Sequence, residues 1–328
     1  MSALEVDRLS VDLHTADGTV RAVDEVSFSV RKGRTLALLG ESGCGKSITA
    51  QSIVGLLDPV AEVVGGAVRV GGTDVVALDR AGRRKLAGPV LSIVFQDALT
   101  ALNPVQPVGR QLGEPFRIHL GLSRRKAREK AIELMEIVGI PEPRARARSY
   151  PHQFSGGMRQ RLLIAMAVAL GPDVLLADEP TTALDVTVQA QIMRLLRDLQ
   201  ASRDMALVLI THDLAMVAEQ ADDVAVMYAG TVVETGPVAE VFAHPRHPYT
   251  KGLLDSVPEH AQRGRPLPAV PGSPPPLSAV PPGCVFQARC PLARDRCVAE
   301  RPALRATAED RPSGRSAACH FSEELAGV

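Results

Sequence analysis

Long apolar runs and an excess of either charge are both missing from this 328-residue sequence. The closest candidate for a membrane span, residues 162–170, is far shorter than the roughly 20 apolar residues that a spanning helix needs. The first residues, MSALEVDRLSVDL, include early acidic side chains and no apolar stretch, which is not the pattern of a secretory signal. With 37 basic and 37 acidic residues, the chain as a whole has no attraction to nucleic acid or anionic lipid. We therefore expect a cytosolic protein that reaches a membrane only through a partner.

Length and hydrophobic content allow two unequal domains. The chain exceeds one average domain, and 45% of its residues are hydrophobic, enough for a substantial core. Short apolar runs at residues 91–95, 173–177 and 206–210 each end in polar residues, as is typical of strands buried on both faces. Amphipathic helical patterns lie between them. Alternating strands and helices predict an α/β fold whose ligands bind at the carboxyl ends of parallel strands.

Composition changes twice along the chain. Residues from about 97 to 170 are helix-rich and charged, and we interpret them as a helical subdomain inserted into a core of residues 1–245. Residues 246–328 are interpreted as a carboxyl-terminal extension. It contains a proline-dense stretch, residues 258–282, which predicts an extended linker. A short segment with four cysteines and little apolar content follows.

The most informative motif is GESGCGKS at residues 40–47, between an apolar run and a helical pattern. Its spacing, G-x-x-x-x-G-K-[ST], lets successive backbone N–H groups wrap phosphates at the positive end of a helix. Lys46 can reach the β- and γ-phosphates, and the Ser47 hydroxyl can ligate magnesium. The predicted phosphate site comprises Gly40, Glu41, Ser42, Gly43, Cys44, Gly45, Lys46 and Ser47.

Two further groups of residues carry chemistry. Asp178 and Glu179 follow an apolar strand; the first is expected to hold magnesium, and the second can orient or deprotonate an attacking water. Ser155 can cap a helix that begins with Gly156 and Gly157, where a phosphate can approach the first amides. A second anion-binding helix start is unexpected in a simple phosphate-loop enzyme. It suggests a nucleotide shared between two subunits.

Six motifs in register resemble an ATPase subunit of an ABC transporter, over essentially the whole chain. The motifs are the phosphate loop, Gln96, Ser155-Gly156-Gly157-Met158, Asp178-Glu179, Ala183-Leu184-Asp185 and Thr211-His212-Asp213. The residues at positions 93–97, 102–104, 150–154 and 247–250 are similar to those of the oligopeptide/dipeptide importer branch of this family. Met158, where many relatives carry Gln, resembles the D-type of the two ATPase subunits.

The resemblance implies a phosphate-loop NTPase core of the ABC ATPase type that hydrolyses ATP with Mg²⁺ to power peptide import. ATP would lie between the phosphate loop of one subunit and the signature motif of another. The second ATPase subunit is expected to differ, which makes a heterodimer. Two membrane permease subunits would hold the pair at the cytoplasmic face of the membrane, with an extracytoplasmic peptide-binding protein as an indirect partner. No nucleic-acid partner is expected.

The family's catalytic roles carry over by position. Glu179 is expected to be the general base, and His212 to contact the γ-phosphate and help hold the attacking water. Gln96 is expected to sense magnesium and water and to link the core with the helical subdomain. Together with Gln96, Ser47 and Asp178 form the expected magnesium site.

The roles at the subunit interface carry over in the same way. Ser155, Gly156 and Gly157 would bind the γ-phosphate of the partner's nucleotide, and Asp185 would cross the dimer interface. One departure concerns the adenine base, which the family usually stacks on an aromatic residue upstream of the phosphate loop. Residues 11–18 contain no aromatic residue other than the imidazole of His14.

Four of the five cysteines lie in the last part of the chain, and Cys44 occupies a small-residue position in the phosphate loop. A segment with so little core needs a staple. Disulfides are disfavoured in the cytosol, which leaves a site of four thiolates for a metal. The spacing does not separate zinc from an iron–sulfur cluster, and His320 is a spare ligand. The four candidate ligands are Cys284, Cys290, Cys297 and Cys319.

The resemblance favours a [4Fe–4S] cluster over zinc or unliganded thiols. Gly283-Cys284 and Arg289-Cys290-Pro291 are similar to the carboxyl-terminal extension of peptide-importer ATPases, where such cysteines are associated with that cluster. We expect this centre to lie far from ATP.

Three other functions remain open from the sequence. Close relatives import nickel or other solutes, and the cargo does not touch an ATPase subunit. Soluble ABC ATPases of DNA repair or translation typically carry long coiled coils, a second cassette or basic surfaces, and this sequence has none. A regulatory subunit that binds ATP without hydrolysis is disfavoured by Glu179 and His212.

Overall fold

The structure is a computed structural model that describes residues 2–96, 101–182, 184–257, 270–306 and 314–327. Two β-sheets form the framework of this described part. The strands are β1 (Ser2–Thr15), β2 (Gly18–Arg31), β3 (Thr35–Leu39), β4 (Ala61–Val70), β5 (Thr73–Asp74), β6 (Leu91–Val94), β7 (Val174–Asp178), β8 (Ala206–Thr211), β9 (Asp223–Tyr228), β10 (Thr231–Pro237) and β11 (Ser316–Ala317). The helices are α1 (Lys46–Val54), α2 (Arg80–Leu86), α3 (Val108–Leu120), α4 (Arg124–Ile137), α5 (Pro143–Arg146), α6 (Gly156–Ala167), α7 (Val186–Arg203), α8 (Leu214–Gln220), α9 (Val238–Ala243), α10 (Pro248–Asp255) and α11 (Asp295–Ala299). None of these helices is long and apolar enough to pass through a membrane.

The larger sheet has the order β11-β10-β9-β3-β8-β7-β6. Strands β9, β3, β8, β7 and β6 run parallel, and β10 and β11 continue the sheet antiparallel. Every residue of β3, β7 and β8 is buried, which explains why the sequence has continuous apolar runs there. The predicted parallel α/β core is thus confirmed, and the polar residues after β3, β6, β7 and β8 all lie at one edge.

A second sheet, which the sequence analysis did not identify, has the order β2-β1-β4-β5 and is antiparallel. Its inner side chains, including Leu4, Val11 and Val23, share one apolar cluster with Leu38 of β3 and Ile53 of α1. The second sheet therefore packs against the face of the larger sheet that carries the phosphate loop and its helix.

Helices α3 to α6 lie in the chain between β6 and β7, which are neighbours in the larger sheet. They pack on a core of their own that includes Leu112, Met135 and Leu162, and this core continues to Leu196 of α7 and Leu207 of β8. Ser123 caps α4 by accepting the Lys126 amide at 3.4 Å. Asp97, the predicted start of the helical subdomain, lies outside the described residues. The division into domains stays a prediction.

The carboxyl-terminal residues pack directly on the core. Ser316 and Ala317 pair with Thr235 and Glu234 of β10, so the chain end adds a strand to the larger sheet. Phe286 packs against the rings of Tyr228 and Tyr249 at centroid distances of 5.2 and 5.4 Å. Of the predicted linker, residues 258–269 lie outside the described part, and residues 277–279 form a single 3-10 turn.

Candidate functional site

The phosphate loop links the buried end of β3 to the first residue of α1, as the motif predicted. Gly43 and Gly45 have φ angles of 80° and 104°, a region that favours glycine. A Cβ at Gly40 would lie 2.3 Å from the carbonyl oxygen of Met227. These glycines are therefore required by the backbone path, and the path places loop amides at the start of a helix, where anions bind.

The side chain of Lys46 is buried in this loop. Its Nζ donates to the carbonyl oxygens of Gly40 at 2.8 Å and Glu41 at 2.9 Å. Cys44 is also buried, and its Sγ lies 3.8 Å from the same Nζ. Burial raises the pKa of the Cys44 thiol above its ordinary value despite the nearby ammonium. Cys44 is thus a packed, neutral side chain of the loop.

Two oxygen ligands for a divalent cation lie side by side. The Ser47 hydroxyl donates to Asp178 Oδ1 at 3.2 Å, across 131 residues of sequence. Burial raises the pKa of Asp178, an effect that the hydrogen bond from Ser47 opposes and the neighbouring Glu179 charge reinforces. A carboxylate and a hydroxyl are a donor set that suits Mg²⁺. The residues present therefore fit the metal that the sequence predicted.

Glu179 is held by three side chains. Its Oε2 accepts from Gln96 Nε2 at 3.0 Å and from Thr182 Oγ1 at 2.8 Å, and its Oε1 lies 3.0 Å from His212 Nδ1. Burial alone would raise the pKa of Glu179, but the hydrogen bonds from His212 and Thr182 outweigh it and lower the pKa. The backbone adopts a left-handed conformation, with a φ of 44°. Glu179 is therefore an oriented, ionised carboxylate.

The phosphate loop, Gln96, Glu179 and His212 line one open cavity of about 490 Å³. Strand order explains the convergence, since Gln96, Glu179 and His212 follow neighbouring parallel strands whose ends meet beside the phosphate loop. Lys46 supplies a cation, and Glu179 faces it as a potential base. The cavity is lined by Glu41, Ser42, Gly43, Gly45, Lys46, Ser47, Ile48, Gln96, Glu179 and His212.

The predicted signature residues are not among those that line this cavity. Ser155 caps α6 and accepts the Met158 amide at 3.4 Å, as expected. A Cβ at Gly157 would lie 2.7 Å from Val188 Cγ1, so this glycine lets α6 approach α7 closely. Asp185 caps α7 through the Val188 amide at 2.9 Å. Ala183 lies outside the described residues.

His14, the one ring upstream of the phosphate loop, lies on the β1–β2 hairpin. Its Nδ1 is 3.1 Å from Thr19 Oγ1, and its Nε2 is 3.2 Å from Glu62 Oε2. His14 is not among the residues that line the cavity. We therefore assign His14 no contact with an adenine base.

The four carboxyl-terminal cysteines line a second, very small cavity beneath Phe286, Phe321 and His247. Burial raises the pKa of Cys284 and Cys290, and it raises the pKa of Cys319 to about 11. Burial therefore favours the neutral thiol form of these three cysteines. Within the described ranges, no group of three or more histidine, cysteine or acidic side chains is arranged to hold a metal ion. The four predicted cysteines thus line one cavity, but they do not have the geometry of a formed metal centre.

Three residues that contact the site were missed by the sequence analysis. Thr182 fixes Glu179, and the Tyr249 hydroxyl accepts the Glu41 amide at 3.0 Å. Arg289 forms an ion pair with Glu41 at 2.9 Å. Arg289 immediately precedes Cys290, so the chain next to one of the four cysteines contacts the phosphate loop. The expected separation of the metal centre from ATP stays a prediction. The sequence features that could have indicated Tyr249 and Arg289 are the motifs HPYT at residues 247–250 and RCP at residues 289–291. Neither motif reveals a contact partner 208 or 248 residues away in the chain.

Comparison with known proteins adds the family. A family model described as ABC transporter matches residues 23–182, and one described as oligopeptide/dipeptide transporter, C-terminal region, matches residues 233–297. The dipeptide transport ATP-binding protein DppD of Escherichia coli K12 is 48% identical over 327 residues, which cover 100% of this chain and 99% of the relative. This chain belongs to the ABC transporter family of ATP-binding proteins. DppD of Bacillus subtilis is 52% identical over 88% of this ABC protein and 86% of its own length.

Solved structures agree with the fold of this ABC ATPase. The ATP-binding cassette MJ0796, a dimer bound to ADP and Pi, matches with a TM-score of 0.64 and 25% identity over 72% of this chain and 98% of that one. CbiO1 from Clostridium perfringens, part of the transporter complex cbiONQ, matches with a TM-score of 0.62 and 28% identity over 74% of this chain and 91% of that one. The ABC ATPase core and ATP hydrolysis expected from the six motifs are thus confirmed.

Proposed function

We propose that this chain is the ATP-hydrolysing subunit that powers import of dipeptides and oligopeptides through a separate membrane permease. The observation that carries the proposal is the cavity where the phosphate loop, Gln96, Glu179 and His212 meet. Full-length similarity to proteins named for dipeptide transport and peptide import supports the solute class. The match of residues 233–297 to the oligopeptide/dipeptide transporter model supports the same class.

Nucleotide binding is assigned to the phosphate loop and the start of α1. The Lys46 ammonium would exchange its two loop carbonyls for β- and γ-phosphate oxygens. Ser47, Asp178 and Gln96 would hold Mg²⁺, which neutralises charge on the phosphates when bound. The hydrogen bond between Ser47 and Asp178 supports this assignment because it already places the two oxygen donors together.

Hydrolysis is assigned to Glu179 as the base that takes a proton from the attacking water. A carboxylate only accepts hydrogen bonds, so His212 donates from Nδ1 to Oε1, while Gln96 and Thr182 donate to Oε2. Three donors fix the carboxylate in one orientation, which is what a positioned general base requires. His212 would also contact the γ-phosphate through its other nitrogen.

A partner ATPase subunit would complete the site. Ser155, Gly156 and Gly157 do not line this chain's own cavity. Ser155 and Gly156 are exposed, and the three residues would face the nucleotide of a second subunit. The similar cassette MJ0796 is described as dimeric, in agreement with such an arrangement. We propose a heterodimer in which Asp185, at the exposed start of α7, lies at the interface.

Two permease subunits would hold this heterodimer at the cytoplasmic face of the membrane. None of the described helices could cross a membrane, and the similar curated proteins are named as ATP-binding components of transport. An extracytoplasmic peptide-binding protein would deliver the cargo to the permease and would not touch this chain.

The cysteine cavity is proposed to hold a [4Fe–4S] cluster, with zinc as the alternative metal. Its donor set fits, since four thiols line one enclosed space and thiolates are the ligands of such clusters. Cys284, Cys290, Cys297 and Cys319 would hold the cluster as thiolates after loss of their protons. Anaerobically purified chain should contain about four iron atoms and four sulfides. Stoichiometric zinc, or no metal, would contradict the cluster.

The proposed function is tested by uptake in cells that lack this gene. Wild-type chain should restore uptake of labelled dipeptides and oligopeptides, whereas Glu179→Gln should not, although the variant should still bind ATP. Nickel uptake in the same cells separates peptide import from metal import. Normal peptide uptake with Glu179→Gln would contradict the proposal.

A further inference from the structure

A buried arginine of the carboxyl-terminal segment, Arg289, forms an ion pair with Glu41 of the phosphate loop. Arg289 Nη1 lies 2.9 Å from Glu41 Oε2, and Nη2 lies 3.1 Å from Glu41 Oε1. The Arg289 side chain is 7% exposed and that of Glu41 27%. A two-pronged pair of this kind is among the strongest polar contacts in proteins, because both donors of the guanidinium fork are aligned at once. The pair joins residues 248 positions apart in the chain.

The guanidinium is fixed independently of Glu41. Its Nε donates to the Pro271 carbonyl at 2.7 Å, and Nη2 donates to the Val270 carbonyl at 3.3 Å. Its Cζ stands 5.6 Å from the centroid of the Tyr228 ring. Burial would lower the pKa of Arg289, but the Glu41 carboxylate outweighs it and raises the pKa, so the side chain is a permanent cation. Arg289 is therefore a rigid positive charge beneath the loop.

Glu41 is tied to the nucleotide cavity through its backbone. Its carbonyl accepts Lys46 Nζ, its amide donates to the Tyr249 hydroxyl, and the residue lines the cavity with Lys46 and Glu179. The side chain is the one carboxylate within residues 40–47. Nucleotide phosphates are anionic, so an uncompensated charge on Glu41 would repel them at short range. The guanidinium of Arg289 compensates that charge and also holds the carboxylate on the side of the extension.

We infer that Arg289 is a positioning residue for nucleotide binding: it neutralises and anchors Glu41, so the folded carboxyl-terminal segment sets the affinity of the phosphate loop. The inference rests on the proposed ATP site. It gives this segment a function in the ATPase cycle that does not depend on whether the cysteine cavity holds a metal.

Substitution of Arg289 and substitution of Glu41 should have different effects on MgATP affinity. Arg289→Gln leaves Glu41 ionised beside the phosphates, and the dissociation constant for MgATP should rise about tenfold, the factor that corresponds to about 1.4 kcal/mol. Glu41→Gln removes the repulsion and leaves the fixed guanidinium, so affinity should stay equal or increase. The dissociation constant of the double variant Glu41→Gln/Arg289→Gln for MgATP should return to within about threefold of the wild-type value, since the repelling carboxylate is then absent together with the guanidinium.

The experiment measures MgATP and MgADP binding to the full chain by equilibrium titration, together with KM and kcat in the assembled transporter. Arg289→Gln should raise KM with little change in kcat, and Arg289→Lys should recover part of the affinity. Arg296→Gln is the matched control, because Arg296 pairs with Glu300 on the exposed surface of the same segment. The control should bind MgATP as wild type does.

Three results would overturn the inference. The first is unchanged MgATP affinity in Arg289→Gln. The second is a loss of affinity in Glu41→Gln as large as that in Arg289→Gln, which is the pattern of a merely structural contact. The third is an unchanged affinity of Glu41→Gln/Arg289→Gln relative to Arg289→Gln. Failure of the wild-type chain to bind MgATP would instead contradict the proposed function, and melting temperatures identify any variant that does not fold.

Discussion

Gln96 and Glu179 are joined by a hydrogen bond of 3.0 Å, although 83 residues of sequence separate them. The two residues follow β6 and β7, which are parallel neighbours in the larger sheet. The chain leaves the core after Gln96 to form helices α3 to α6, and it returns to the core through β7. The polar contact between Gln96 and Glu179 thus connects the start of this insertion with the proposed base at the edge of the sheet.

Thr182 gives the first prediction. Thr182→Val removes one of the three donors to Glu179 and keeps the shape of the side chain. We expect kcat for ATP hydrolysis to fall about tenfold, the effect of losing about 1.4 kcal/mol of orientation in the transition state. KM for ATP should change little, because Thr182 does not line the nucleotide cavity.

Steady-state ATPase assays of the assembled transporter would measure this effect. Thr187→Val, on the exposed surface of α7, is the matched control and should leave both constants unchanged. A rise in KM with constant kcat would argue that Thr182 contributes to binding and not to the base.

The convergence of Lys46, Gln96, Glu179 and His212 could be predicted from sequence because each follows a buried strand of a parallel sheet. Such strands appear as continuous apolar runs, and their carboxyl ends meet at one edge. The antiparallel sheet of β1, β2, β4 and β5 was missed, since its alternating burial is interrupted by irregular register.

Contacts of the carboxyl-terminal segment could not be predicted in the same way. Arg289 lies in a short 3-10 turn without periodicity, and its partner Glu41 belongs to a motif that explains itself without any distant contact. A composition poor in apolar residues suggested only that the segment needs a staple. Phe286 packs on Tyr228 and Tyr249 and shares their apolar cluster with Cys284 and Val285, and isolated apolar residues of this kind form no periodic pattern.

The pair of Glu234 and Arg315 gives a prediction about stability. The side chains are 0% and 3% exposed, 2.9 Å apart, and Glu234 also accepts the amides of Arg246 and His247. Glu234→Ala would leave a buried guanidinium without this partner, at a cost of about 3–5 kcal/mol in the free energy of unfolding. Urea titration would measure the loss.

Glu129→Ala is the control for this change. Glu129 pairs with Arg125 at 3.3 Å on the exposed face of α4, and such surface pairs contribute less than about 1 kcal/mol. Equal destabilisation by the two substitutions would show that the buried pair contributes no more to the free energy of unfolding than the surface pair does.

Gly283 gives a prediction about the cysteine segment. A Cβ at this position would lie 2.4 Å from the carbonyl oxygens of both Cys297 and Val298, and these are backbone atoms that cannot turn away. Gly283→Ala should destabilise the segment by about 1–3 kcal/mol, as overpacking does. Hydrogen exchange should then increase at residues 284–299. Gly65→Ala, where the nearest atom is an ordinary 3.7 Å away, should leave exchange unchanged.

His247 makes stability depend on pH. It is buried at the start of α10, where its Nδ1 accepts the Tyr249 amide at 3.1 Å. Burial lowers its pKa from 6.5 to about 3, although the Glu234 carboxylate accepts the backbone amide of the same residue. Because the folded protein holds the neutral ring, this contribution is fully present above pH 6.5 and is lost as the pH falls towards 3.

His247→Asn keeps an acceptor for the Tyr249 amide but does not titrate. Between pH 6.5 and pH 5, the wild-type chain should lose about 2 kcal/mol more unfolding free energy than the variant, since each pH unit corresponds to about 1.4 kcal/mol. Denaturant unfolding of both proteins at the two pH values measures the difference, and the other histidines cancel because both chains carry them. Equal losses of unfolding free energy in the two proteins would mean that His247 accepts a proton in the folded state. The burial of its ring would then not make stability depend on pH.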